Sequence, residues 1–125
     1  MSRTVLLLVL VSVGFGLVSP ELESRLATVA EDVRLPVQIV MRRQFDVGEL
    51  NRMVDGLSRR ERRVLVARVL EDFARREQAD LLGYLREKER LGLVADVRSM
   101  WIVNAVYCEA TPGVIREVAE RGDVH

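Results

Sequence analysis

The sequence is poor in the residues that build covalent or metal-centred chemistry. Its 125 residues include one cysteine, Cys108, and one histidine, His125. One thiol excludes an internal disulfide, and one imidazole supplies a single ligand where a metal site needs several. A Ser-His-Asp triad is excluded on similar grounds. Its histidine must be held by its surroundings, and the only one here is the last residue. Pairs such as Glu71/Asp72 and Glu117/Glu120 fall on solvated helix faces with no pocket implied. The expectation is therefore no catalytic residue, no metal and no cofactor. An excess of charge of one sign is also missing. There are 19 basic and 19 acidic residues, and the pI is about 6.6. That balance weighs against bulk attraction to nucleic acid or to an anionic membrane. Lysine is nearly absent too, Lys88 being the only one among 18 arginines. The densest basic stretch, Arg59-Arg60-Glu61-Arg62-Arg63, has no interleaved aromatics and reads as a solvated helix face.

What is present is a globular composition, 49% apolar and 30% charged, enough for one domain. Arg3 precedes an apolar run, Val5–Val18, with Gly14 and Gly16 near its end. This pattern matches a secretory signal peptide. The run is short for a membrane span, which needs about 20 residues. The alternative readings are a buried strand or helix, or an uncleaved anchor. The expected division is residues 1–18 as a signal helix, 19–34 as an N-terminal helix and linker, and 35–125 as an α+β domain. The mature chain would begin near Leu17–Glu21 and be secreted.

Ser19-Pro20-Glu21 reads as N-cap, first helical position and acidic first turn of a helix over 20–32. Leu35–Arg43 is the first strand, with Val37, Ile39 and Met41 on one face. Asp46 caps a short helix that Gly56 closes. Ser58-x-x-Glu61 is a capping box opening a long helix over Arg59–Leu91. Its apolar stripe is Leu65, Val66, Val69, Leu70, Phe73, Leu81, Leu82, Tyr84 and Leu85, interrupted by Glu77, Gln78 and Asp80. At about 1.5 Å per residue the helix approaches 50 Å, so it must overhang a small sheet or bend near Gln78–Gly83. Thr111-Pro112 starts the last helix, with Val114, Ile115, Val118 and Ala119 as its buried stripe. Asp123-Val124-His125 resembles the start of a further strand.

The eleven residues Met100–Ala110 (MWIVNAVYCEA) contain no Lys, Arg, Gly or Pro and suit the interior of a sheet. Strands are expected over Val94–Val103 and Ala105–Ala110, split at Asn104, which tolerates the positive φ of a kink. Both parities look largely apolar, and a two-layer domain covers only one sheet face. The element order is that of a ferredoxin-like split β-α-β: an antiparallel sheet with helices on one face and a truncated fourth strand.

The stretch SMWIVNAVYCEATPGVI, Ser99–Ile115, followed by Arg121-Gly122-Asp123-Val124, resembles the prodomain of secreted subtilisin-type serine proteases. The bacillopeptidase F and fervidolysin-like branch is most similar. Leu35–Met41 resembles that family's first strand. Leu57–Arg63 and Gln78–Leu82 resemble its long helix. The resemblance implies a propeptide that assists folding of a protease domain, as an intramolecular chaperone, and inhibits it for a time. It also implies that the outer sheet face packs on two protease helices, in cis or in trans. Parity nominates Trp101, Val103, Tyr107 and Glu109 for that face, the opposite parity being the alternative. The family's cleft-blocking tail follows a fourth strand that is hardly begun at His125. The competing reading is an exported, self-associating module with no protease partner, pairing through the sheet edge. In neither reading does the mature form engage nucleic acid or membrane.

Overall fold

The computed structural model describes residues 9–11 and 18–124. Helix α1, Pro20–Leu26, starts where Ser19 Oγ accepts from the Leu22 amide and Pro20 takes the first turn. It buries Leu22 and Leu26. It stops well before residue 32 because the stripe lapses: Val29 is only half-buried and Ala30 is exposed. A short helix without a packed face does not propagate. Strand β2, Leu35–Val40, alternates buried and half-buried positions. Leu35, Val37 and Ile39 point inward, and Met41 continues that row. Asp46 Oδ1 accepts from the Gly48 and Glu49 amides and caps α2, Val47–Met53, which buries nothing.

Helix α3, Arg59–Arg90, is one unbroken helix of 32 residues with the expected capping box. Its buried positions are Phe73, Ala74, Gln78, Leu81 and Leu85. The turns before Phe73 bury no residue, so of the two expectations the overhang is the one realised. Strand β3, Val94–Met100, and strand β4, Ala105–Ala110, form a hairpin. Trp101–Asn104 is its turn, so the second strand ends three residues earlier than expected. Asn104 has φ 44, as its small amide side chain permits. A bulge between Ala95 and Arg98 places Asp96 at φ 55. Helix α4, Pro112–Ala119, buries Val114, Ile115 and Val118.

The fold is α+β. The antiparallel sheet runs β2-β4-β3, and β1, Val9–Val11, lies parallel to β2 on the other side. The inward row Leu35, Val37, Ile39, Val94, Val106, Cys108 and Ala110 meets α1, α3 and α4 in one buried cluster. The order β2-α3-β3-β4-α4 is that of the split β-α-β. At the position of a fourth strand the described residues show one antiparallel bridge, Val124 to Met41, with the Arg42 amide donating to the Asp123 carbonyl. The Arg121 guanidinium chelates the Asp123 carboxylate at 2.9 and 2.8 Å, which holds Asp123 below the usual carboxylate range.

The N-terminal helix expected within residues 1–18 is corrected for Val9–Val11, which is extended. Valine favours the pleat, and the outer edge of β2 offers it unpaired backbone groups. Alternate β2 amides face this edge, and the Pro36 position, which has no N–H, falls in that row. The other residues of 1–17 lie outside the described ones.

Gln78, which the sequence places as a break in the stripe, is fully buried. Its Oε1 accepts from the Ser99 hydroxyl at 2.6 Å. Its Nε2 lies 3.0 Å from Asn104 Oδ1 and 3.2 Å from the Met100 and Ala105 carbonyls. Asn104 Nδ2 donates to the Arg43 carbonyl at 2.7 Å. Helix, hairpin and the end of β2 are thus tied through two amide side chains. Replacing Gln78 by Leu leaves several of these buried acceptors unpaired, each worth about 1–3 kcal/mol. We expect Gln78→Leu to lower stability by about 3 kcal/mol in urea titration; a loss below about 0.5 kcal/mol contradicts the assignment.

Candidate functional site

The strand register arranges the outer sheet face in three cross-strand rows. Pro36, Glu109 and Ala95 form one. Gln38, Tyr107 and Arg98 form the middle one. Val40, Ala105 and Met100 form the third, next to the hairpin turn. Most of these side chains are half-exposed, and Arg98 and Met100 are exposed. The buried residues of α1, α3 and α4 belong to the opposite face, so among the described residues no helix lays a stripe here.

This face is mixed, which corrects the expectation that both faces are largely apolar. Met100–Ala110 is largely apolar, but it brings Glu109 to this face, and the other positions add Gln38 from β2 and Arg98 from β3. The Arg98 guanidinium stands 5.8 Å from the Tyr107 ring centroid and donates to Asp96 at 3.0 Å. That hydrogen bond, and then the Asp96 charge, raise Arg98 above its ordinary range. Burial, and then the Glu109 charge, push the Tyr107 phenol up. A flat ring beside a cation, with a carboxylate on the next row, makes an amphipathic surface rather than a greasy one.

The four nominated contact residues divide. Tyr107 and Glu109 lie on the outer face, half-exposed, as parity required. Trp101 and Val103 do not, because both fall in the hairpin turn, where strand alternation no longer applies. Val103 is at the tip and 43% exposed. Trp101 instead faces a shallow groove with Leu57, Arg59, Arg62, Arg63, Val66 and Ala67. Sequence reasoning missed Gln38 and Arg98. The signal for both was available in the register, since each pairs with Tyr107, but register is invisible until the turn is placed.

Asp72 is paired with Arg75 at 2.7 Å, and Glu117 accepts from the Tyr84 hydroxyl and lies 3.8 Å from Lys88. Among the described residues no group of three or more His, Cys, Asp or Glu is placed to hold a metal ion. No described helix is long and apolar enough to cross a membrane. Comparison with protein-family models, with curated proteins and with solved structures finds no match.

Cys108 is fully buried among Val37, Ile39, Val114, Ile115 and Val118. Burial first, and then the Glu109 charge, push its thiol up to about 12. It is a core hydrophobe, and only the thiolate is nucleophilic. Two outcomes are expected. Iodoacetamide at neutral pH should label Cys108 no faster than the chain unfolds. Stability should also fall as pH rises from about 9 towards about 12, because the unfolded thiol ionises first and the folded state retains its proton. The slope from this group is at most about 1.4 kcal/mol per pH unit. Rapid labelling of the folded protein contradicts the placement.

Proposed function

We propose that this chain is a prodomain-like module that binds a subtilisin-type serine protease domain. It acts as a folding assistant and temporary inhibitor, with no chemistry of its own, and is exported. The observation that carries the reading is the outer sheet face, which no stripe of the described helices covers, with the row Gln38–Tyr107–Arg98 at its centre. The order of motifs along the chain, and the buried stripes of α1, α3 and α4 on the opposite face, support it further. Its mixed polarity is compatible with docking, because the surfaces of non-obligate partners are about as apolar as the rest of the molecule. Tyr107 offers a rigid apolar plate with a polar tip, the kind of side chain that anchors interfaces. Glu109 is placed to accept N–H groups from the exposed starts of partner helices. Binding the folded protease and not its unfolded chain would stabilise the former by mass action, which is how a non-catalytic module assists folding.

Self-association through a sheet edge has less support. Strand β3, at the edge of the sheet among the described residues, is broken by the Asp96 bulge and carries the charged Arg98, features that discourage edge pairing.

The test is hydrolysis of a chromogenic peptide by a subtilisin-type protease titrated with the full chain. Progressive inhibition is expected. Tyr107→Ala and Glu109→Arg should each weaken it about tenfold, equivalent to about 1.4 kcal/mol, without changing the thermal melt. Absence of both inhibition and any gain in protease refolding yield contradicts the reading.

A further inference from the structure

The overhanging half of α3 and the tip of the hairpin form a second surface, on the helix side of the sheet and separate from the three rows. The apolar residues there exceed what a solvated end needs. Val64 is 53% exposed and Ile102 is 69% exposed. Leu65, Val66, Val69 and Leu70 are only half-buried. Trp101, the single tryptophan, stands over the groove and shares its apolar lining with Leu57, Val66 and Ala67. Arg59, Arg62 and Arg63 supply the rest of that lining.

The charge here is out of keeping with the rest of the chain. Between Arg59 and Arg76 there are seven arginines and three carboxylates, a surplus of four positive charges in a chain of zero net charge. Arg59, Arg60, Arg62 and Arg63 make no ion pair with the described residues, and the nearby Glu61 carboxylate is engaged by the Ser58 amide in the capping box. Arg59, Arg62 and Arg63 stand at i, i+3 and i+4, where like charges repel. A carboxylate-bearing ligand would relieve that repulsion. An apolar side chain on the same ligand would cover the Trp101 groove.

We propose that this groove binds an acidic, apolar-bearing polypeptide segment of a partner protein, with Trp101 and the arginines as its anchors. Tryptophan and arginine are the residues most enriched where interfaces concentrate their binding energy. An apolar groove with one aromatic residue, in a neutral chain, fits a peptide better than a nucleic-acid strand, which would stack on several rings along a basic track.

Trp101 is its own reporter. The full chain is titrated with a short synthetic peptide of Glu, Asp, Leu and Phe while tryptophan emission is followed. A saturable shift with micromolar Kd, weakening as salt rises, is expected. The double variant Arg59→Glu/Arg63→Glu, whose exposed side chains play no part in the core, should lose at least about tenfold in affinity. Trp101→Ala, read by anisotropy of a labelled peptide, should lose a similar factor. Protease inhibition, measured in parallel, should be unchanged in the charge-reversal variant, so either proposal can fail without the other. No shift at millimolar peptide overturns the inference. So does equal affinity for a Lys-substituted peptide, equal affinity of the charge-reversed protein, or tighter binding of an oligothymidine or of phosphatidylserine vesicles.

Discussion

One buried amide sets the geometry of this molecule. Gln78 enters the core from the middle of α3 and satisfies its hydrogen bonds on the β3–β4 hairpin, at Ser99, Met100, Asn104 and Ala105. A polar side chain in that position is tolerated only because its partners are matched, and a half-satisfied network would cost more than an apolar one. The match fixes where β3 ends and where β4 begins. From that follows the division of the aromatic residues: Tyr107 on the outer sheet face, Trp101 on the groove under the helix overhang.

The two surfaces have different physical characters. The sheet face is flat, half-exposed and mixed, with Arg98 stacked on Tyr107 and Glu109 one row away. The groove is concave and apolar, edged by arginines that make no ion pair with the described residues. Both surfaces are suited to recognition by complementarity of shape and charge, and the proposed functions rest on that.

Much of the scaffold was legible in the sequence because it depends on short-range rules. The Ser19, Asp46 and Ser58/Glu61 caps, the positive φ at Asn104 and the inward row Val37, Ile39 and Met41 all follow from nearest neighbours along the chain. What was not legible depends on contacts distant in sequence. Gln78 reads as solvent-facing until Asn104 is known to lie beside it. Trp101 and Val103 keep strand parity only if the strand continues through them, and the turn at residues 101–104 ends it. The polarity of the outer face was masked because Met100–Ala110 is largely apolar, while Gln38 and Arg98 arrive from other strands. The extended Val9–Val11 was hidden for the same reason, since its pairing depends on the edge of β2.

The central claim is that the Gln78 side chain is locked between the helix and the hairpin. The most direct measurement is the nuclear magnetic resonance signal of its side-chain amide in the folded protein. Slowly exchanging Nε2 protons with cross-peaks to Asn104 and Ser99 are expected. Exchange as fast as that of an exposed glutamine, with no such cross-peaks, would contradict the claim.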